Sequence, residues 1–181
     1  MIEPDTKDWT WVLTRPCPEC GLDARAIARA DVPAILRRNA QAWPAALEGD
    51  AARREHPDRW SPLEYACHVR DVHRVYTARL HLMTTRDDPD YPNWDQDATA
   101  VEQRYGEQDP ATVGRELTAA ADVLARAFEQ VGDWTRTGNR SDGARFTIET
   151  FARYLVHDPV HHLWDVTGVR AEQSAGQARS R

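Results

Sequence analysis

Apolar residues recur at helical spacing in four long segments of the chain. These segments run from about Asp31 to Leu47, Ser61 to Thr84, Asp109 to Val131 and Thr147 to Val166. Residues three and four positions apart share one face of an α-helix, so each segment presents an apolar stripe to a common core. Four amphipathic helices joined by some long connections predict an all-α fold, a four-helix bundle with long crossover loops.

The starts of the segments and the connections between them refine this prediction. Ser61-Pro62-Leu63-Glu64 is a capping box with proline at the first helical position, which is a strong helix-start signal. The long connection 86–109 contains a further short helical pattern near Ala98 to Tyr105. The connection 133–145 is rich in Gly, Asn and Ser, which is compatible with a tight hairpin-like excursion, but no strand is predicted there.

The two ends of the chain differ from the bundle segment. We interpret residues 1–29 as an irregular N-terminal arm and residues 30–168 as the bundle. Residues 169–181 are rich in Gln, Ser, Gly and Arg, which predicts a disordered tail.

Charge and hydropathy exclude two classes of partner. The 181-residue chain has a net charge of −6 and no basic stripe with interleaved aromatic residues, so nucleic acid is not an expected partner. No apolar run reaches membrane-spanning length, and the first residues do not resemble a signal peptide. We therefore expect a soluble, cytoplasmic protein that binds no membrane.

The fourth helical segment turns from apolar to polar without changing register. One stripe contains Ile148, Phe151, Leu155, Asp158, His162 and Asp165. Asp158 and His162 are four residues apart on a face directed into the bundle, a spacing with which two side chains bind one metal ion. Asp165 lies one turn further, where it can hydrogen-bond the ring nitrogen that does not bind the metal.

Two alternatives for this segment remain open. His157 and His161 have the same spacing, but Arg153 and Trp164 flank them on a stripe that we expect to be more exposed. Asp158-Pro159 would otherwise start a second helix, with Asp158 as its N-cap and no metal bound.

The second helical segment offers a third metal ligand. His68 shares a stripe with Tyr65, Val72 and Tyr76, where it is either a ligand or a hydrogen-bonded core residue. His73, five residues later, faces elsewhere and is predicted at the surface or rim.

Three cysteines are too few, and odd in number, for a disulfide scaffold. Cys17-Pro-Glu-Cys20 looks like half a zinc ribbon, but the chain has no second CxxC, and Cys67 in a helix is a poor partner. We interpret the motif as a tight turn that packs the arm from Trp9 to Trp11 on the bundle, in preference to a metal or redox site.

Two motifs together resemble the DinB-like superfamily of four-helix bundles, which includes bacterial thiol-dependent S-transferases and mycothiol-dependent maleylpyruvate isomerase. One motif is Trp60-Ser-Pro-Leu-Glu64 followed by His68. The other runs from Asp158 to Val166, and its alignment on the final polar-aliphatic pair also places ligands at Asp158 and His162. Asp158 departs from the family, in which many members have histidine and the isomerase branch has glutamate.

The resemblance implies a divalent metal held by His68, Asp158 and His162, with Asp165 orienting His162 as the candidate catalytic residue. Zinc suits these ligands, as would nickel, iron or manganese. It further implies a low-molecular-weight thiol as co-substrate. Lys7 is the only lysine among 23 basic residues, which fits an actinobacterial-type genome and mycothiol as the thiol.

The expected function is therefore that of a metal-dependent thiol transferase or isomerase acting on a small electrophile. The alternatives are a non-catalytic stress or binding protein and a metal-assisted hydrolase. Trp94, Asp95 or Asp97 are expected to line the mouth of the substrate site. Members of the family often form homodimers, and a homodimer is possible here.

Overall fold

The computed structural model describes residues 8–171. Within this range, five segments form α-helices: α1 (Val32–Ala46), α2 (Pro62–Thr85), α3 (Gln96–Glu102), α4 (Pro110–Glu129) and α5 (Ile148–Thr167). The four long helices agree with the predicted segments to within two residues at either end. The short α3 lies in the long connection where a short helix is predicted.

The four long helices form a bundle with an apolar interior. α4 packs against α1 and α2, and α5 packs against the same two helices from the other side. Large side chains at less than 2% exposure fill the interior, among them Trp43, Phe128, Phe151 and Leu155. The predicted four-helix bundle is confirmed.

A small mixed sheet corrects the all-α prediction. β1 (Asp90–Tyr91) pairs in parallel with β2 (Thr137–Arg140), which pairs antiparallel with β3 (Arg145–Thr147). The prediction of no strand in the connection 133–145 is wrong. These strands are short and mostly polar, so strand propensity does not reveal them, and β1 pairs with β2 from more than forty residues earlier in the chain.

The N-terminal arm is built from three short 3-10 helices, Trp9–Leu13, Ala24–Ala26 and Arg29–Asp31. Ala24 and Ile27 pack into the apolar core of the bundle. The described arm therefore shares the core of the helices.

The C-terminal end of the described chain contacts the CxxC turn. The Ala171 N–H donates to the Cys20 carbonyl (2.8 Å), and Arg170 Nη1 donates to the Pro18 carbonyl (3.0 Å). Residues 172–181 of the predicted tail lie outside the described residues. Among residues 8–171, no helix has both the length and the apolar character that a membrane span requires.

Candidate metal centre

His68 is positioned by a well-formed start of α2. The Glu64 N–H donates to Ser61 Oγ (3.2 Å), and the Ser61 N–H donates to Glu64 Oε2 (2.8 Å), which is the predicted capping box. Arg54 Nε donates to the same carboxylate (2.7 Å). With the first turn held in this way, His68 enters the interior of the bundle and is fully buried.

Asp158 and His162 lie on α5 and face His68. Asp158 Oδ1 is 3.4 Å from His68 Nε2 and 3.9 Å from His162 Nε2. One ligand atom from each of the three residues lies within 4.8 Å of the other two. A tetrahedral metal ion with bonds of about 2.0–2.1 Å separates its ligand atoms by roughly 3.4 Å, so the three side chains are spaced as metal ligands are.

Several polar atoms in this cluster lack a hydrogen-bond partner. Both ring nitrogens of His68 and Oδ1 of Asp158 are buried without one among the described residues. Each unsatisfied buried polar group costs about 1–3 kcal/mol, and such groups are rare in native proteins. A cation between the imidazoles and the carboxylate would satisfy Asp158 Oδ1 and one nitrogen of His68, so the residues fit a divalent metal.

Asp165 controls the orientation of His162. Its Oδ2 lies 2.9 Å from His162 Nδ1, which assigns the proton to Nδ1 and directs the Nε2 lone pair toward Asp158. The Tyr65 ring packs against the same imidazole, with 5.0 Å between the ring centroids. The ring of His162 is therefore held on both sides before any metal binds.

The electrostatic surroundings keep Asp158 ionised. Burial raises the pKa of the carboxyl, but the imidazoles of His68 and His162 lower it further, so the pKa lies below its ordinary value. A carboxylate that is charged at neutral pH is the form that binds a metal ion.

α5 continues through Asp158 and Pro159 without a break, from Ile148 to Thr167. The alternative in which Asp158 caps a second helix is therefore wrong. Asn39 Nδ2 on α1 donates to the Pro159 carbonyl (2.8 Å) and ties this part of α5 to the bundle.

A cavity of about 510 Å³ opens onto Asp158 and His162. Trp94, Asp95 and Asp97 line it, at the position expected for the mouth of a substrate site. The Trp94 ring stacks on His68, with ring centroids 5.4 Å apart and planes 8° apart. Trp94 therefore lies between His68 and the cavity lining that it shares with Asp158 and His162.

His157 and His161 form a separate cluster and do not compete with Asp158 and His162. Their ring nitrogens lie within 4.8 Å of the sulfur atoms of Cys17 and Cys20, and Cys17 Sγ is 3.6 Å from His161 Nδ1. Burial raises the pKa of the Cys20 thiol to about 12 and lowers that of His157 to about 4. His157 and His161 were expected on a more exposed stripe, but both are buried, because the rings of Trp9 and Trp11 in the N-terminal arm pack against them.

Sequence reasoning missed this second cluster because it sought the missing ligands among cysteines. The signal that could have found it is the combination of one CxxC with one HxxxH, which together supply two thiolates and two imidazoles, a common zinc ligand set.

The prediction that His73 lies at the surface or rim is wrong. His73 is fully buried, and both of its ring nitrogens lack a hydrogen-bond partner among the described residues. Burial lowers the pKa of His73 to about 4.

Residues 34–166 match the sequence model of the DinB superfamily. The chain belongs to the DinB superfamily. The DinB match includes His68, Asp158 and His162, and it also includes Asp165. Cys17 and Cys20 precede the matched region, so the second cluster combines DinB residues with an arm outside the match.

Among solved structures, this DinB chain is similar to YfiT from Bacillus subtilis, with a TM-score of 0.70 and 18% identity. The similarity covers 84% of this chain and 91% of YfiT. YfiT is described as "a probable metal-dependent hydrolase with an unusual four-helix bundle topology". At this identity the likeness supports the DinB fold. A comparison with curated proteins gives no match.

Proposed function

We propose that this DinB protein is a divalent-metal-dependent enzyme that joins a low-molecular-weight thiol to a small electrophile. The observation that carries the proposal is the cluster of His68, Asp158 and His162. Asp158 and His162 line a cavity of about 510 Å³, and both ring nitrogens of His68 and Oδ1 of Asp158 are buried without a hydrogen-bond partner among the described residues. Such a cavity accommodates a small-molecule substrate. Zinc is the proposed metal, since two imidazoles and one carboxylate are among its usual ligands.

Three protein ligands leave at least one coordination position for a substrate. When bound, a divalent ion supplies a Lewis acid that lowers the pKa of a thiol at this position. The remaining tasks belong to the chain. Asp165 holds His162 in one orientation, and Trp94 covers His68 on the cavity side.

The proposed reaction needs only the thiol and the electrophile. The thiol loses its proton to solvent, and its sulfur forms a bond to an electrophilic carbon. In a transfer, the leaving group departs with the electron pair of the broken bond. In an isomerisation, the thiol is released again after the substrate has rearranged. The arginine-rich composition supports mycothiol as the thiol.

Arg79 indicates the charge of the molecule that enters the cavity. Its guanidinium is buried and borders the cavity, between the rings of Tyr76 (5.3 Å) and Tyr91 (5.1 Å). Burial lowers the pKa of Arg79, yet an arginine stays protonated at neutral pH.

Arg79 Nη2 donates to the Pro92 carbonyl (2.8 Å), but no carboxylate of the described chain forms a salt bridge with it. The other cavity arginine, Arg140, is paired with Asp142 (2.9 Å). A buried cation without a protein counter-ion favours an anionic group on the substrate, and we propose a carboxylate.

A metal-assisted hydrolase is the second candidate. The description of YfiT favours it, and the same open position would accept water in place of a thiol. The two candidates share the metal ligands and differ in whether turnover depends on added thiol.

The test begins with the metal content of the purified protein and of His68→Ala and His162→Ala variants. We expect each variant to lose about one metal ion per chain. Turnover is then measured with chlorodinitrobenzene as electrophile and with mycothiol, glutathione or cysteine as thiol. A nitrophenyl ester without thiol serves as the hydrolase assay.

Metal-dependent turnover that requires a thiol, and that both variants lose, would support the transferase. Ester hydrolysis without thiol would replace it with the hydrolase. Full metal content in both variants would contradict the assigned centre. His81→Ala is the matched control, because His81 is exposed on α2 and should leave metal content and turnover unchanged.

A further inference from the structure

We propose that Cys17, Cys20, His157 and His161 form a second metal site, a closed zinc site that fastens the N-terminal arm to α5. This site is distinct from the proposed catalytic centre and does not depend on the proposed function.

The spacing of the four side chains is that of zinc ligands. One ligand atom from each residue lies within 4.8 Å of the other three, and Cys17 Sγ is 3.6 Å from His161 Nδ1. Zinc bonds of about 2.3 Å to sulfur and 2.0–2.1 Å to nitrogen, in tetrahedral geometry, place a sulfur and a nitrogen roughly 3.5 Å apart. Two cysteines and two histidines are one of the common ligand sets of structural zinc.

Burial supports the same interpretation. Cys17 and Cys20 are 1% and 0% exposed, and His157 and His161 are 5% and 7% exposed. His157 Nε2 is buried without a hydrogen-bond partner among the described residues. Two buried sulfurs beside two buried imidazoles are poorly satisfied by one another and well satisfied by a metal ion.

The backbone of the CxxC turn is already shaped to present both sulfurs. The Cys17 N–H donates to the Leu22 carbonyl (2.9 Å), and the Gly21 N–H donates to the Cys17 carbonyl (3.0 Å). Gly21 has a φ of +79°, which a residue with a Cβ rarely adopts. The hydrogen bond from Ala171 to Cys20 holds the same turn from the other end of the chain.

The surroundings of His161 complete the arrangement expected of a zinc ligand. Its Nδ1 faces Cys17, while its Nε2 lies 3.6 Å from Glu19 Oε2 and 3.9 Å from Asp165 Oδ2. A histidine that binds a metal usually directs its other nitrogen toward a carboxylate. The Trp9 ring covers both imidazoles, at 5.5 Å from His157 and 5.4 Å from His161.

A redox role for the two cysteines fits the structure less well. A dithiol that exchanges with a partner needs an accessible sulfur, and neither sulfur here is accessible. The two histidines would also have no task in such a pair. With four protein ligands and no open position, the site is structural.

A zinc ion at this site would stabilise the packing of the arm on α5. The arm would be attached to α5 at the residues next to Asp158 and His162. The second site would therefore hold the part of α5 that carries two of the proposed catalytic ligands.

The experiment uses the full chain, purified with a phosphine reductant so that no added thiol can bind the metal, and loaded with zinc alone. X-ray absorption at the zinc edge measures the ligands directly. We expect about two zinc ions per chain and a sulfur shell at about 2.3 Å, which the catalytic centre cannot supply. A spectrum with nitrogen and oxygen neighbours only would overturn the proposal. This measurement on the unaltered protein does not depend on the folding of a variant.

Variants then separate the two sites. A Cys17→Ser/Cys20→Ser double variant should lose about one zinc ion and the sulfur shell. His162→Ala should lose the other zinc ion and keep the sulfur shell. Cys67→Ala is the matched control, because Cys67 is a buried thiol in the core that lies in neither cluster.

Substitution of cobalt for zinc tests the ligands of the same sites by absorption spectroscopy. The wild-type, His162→Ala and Cys67→Ala proteins should show thiolate-to-cobalt charge-transfer absorption, and the double variant should lack it. Unchanged metal content in the double variant, or a Cys17–Cys20 disulfide in the native protein by mass spectrometry, would overturn the zinc site. Loss of metal only in His162→Ala would leave the proposed catalytic centre intact and remove the second site.

Discussion

His161 and His162 are consecutive residues of α5 whose rings stand nearly perpendicular, with planes 79° apart and centroids 5.9 Å apart. His161 faces Cys17, and His162 faces Asp158. Successive residues of an α-helix point about 100° apart. The pair His157/His161 and the pair Asp158/His162 are offset by one residue, so the two pairs face different neighbours. One helix thereby contributes to two clusters with different chemistry.

Asp165 is predicted to strengthen metal binding at the centre that includes His162. We expect Asp165→Asn to weaken this binding roughly 10- to 100-fold, because an amide oxygen can accept from His162 Nδ1 but lacks the negative charge that makes the imidazole a stronger metal ligand. Competition with a coloured chelator measures the affinity. The variant is made in the Cys17→Ser/Cys20→Ser background, so that only one site binds.

Asp87→Asn is the control for this measurement, since Asp87 is an exposed carboxylate in the loop after α2. Equal affinities for the Asp165→Asn and Asp87→Asn variants would show that Asp165 does not support the metal.

Arg79 is predicted to bind the anionic group of the substrate. A hydrogen bond to a charged group contributes about 1.5–3 kcal/mol, so Arg79→Gln should raise the KM of an anionic substrate roughly 10- to 100-fold. Metal content should stay unchanged, because Arg79 is not among the clustered ligands. Steady-state kinetics with an anionic electrophile and its neutral ester measure the effect.

The neutral ester provides an internal control in that assay, and Arg104→Gln provides a second one at an exposed arginine. A similar rise in KM for the ester would assign the effect of Arg79→Gln to altered cavity shape.

Asp71 is predicted to stabilise the fold above about pH 4. Burial raises the pKa of Asp71, but hydrogen bonds from Arg70 (2.9 Å) and Tyr105 (2.7 Å) lower it further, so the folded pKa lies below the ordinary value of 3.8. The stabilisation is therefore complete above the unfolded pKa and is lost as the pH falls toward the folded pKa.

Asp71→Asn should lower the free energy of unfolding by about 3 kcal/mol at pH 7, because Arg70 stays buried and loses a counter-ion. Urea unfolding at pH 7 and pH 3 measures this, and the difference from wild type should shrink at pH 3. Tyr105→Phe removes one hydrogen bond to the same carboxylate and should cost about 1.5–3 kcal/mol. A difference independent of pH would contradict the role of the Asp71 charge.

Gly138 is predicted to be required for the packing of the sheet on α2. A Cβ at this position would lie 2.8 Å from Met83 Cγ and 2.9 Å from the Tyr91 ring. Gly138→Ala should therefore cost about 1–3 kcal/mol through overpacking, measured by urea unfolding. Gly132→Ala is the control, since a Cβ there meets no atom within 4 Å. Equal stabilities of the two variants would mean that β2 moves to accommodate the added Cβ with little change in the free energy of unfolding.

The helices and one of the clusters were accessible from sequence because the relevant signals are local. The capping box at Ser61 and the stripe ending in Asp158 and His162 lie within single helices, where spacing determines which side chains share a face. The interval from His162 to Asp165 is likewise one helical turn, and the structure places the two side chains in hydrogen-bonding contact.

The sheet and the second cluster could not be predicted in full, because each includes a contact between segments far apart in the chain. β2 pairs with β3 in a local hairpin, but it also pairs with β1 from more than forty residues earlier, and its polar residues show no alternation of their own. His73 also appeared to face outward from its own helix, yet the assembled bundle buries it fully.

The sequence by itself determined the four-helix bundle and the helix that carries the polar stripe of Asp158 and His162. Only the tertiary structure decided that His157 and His161 belong with Cys17 and Cys20. Cys17 Sγ and His161 Nδ1 are 144 residues apart in the chain and 3.6 Å apart in space. Helical periodicity relates residues within one helix and contains no information about which distant segment packs on that helix. The packing of the arm on α5 is therefore known only from the tertiary structure.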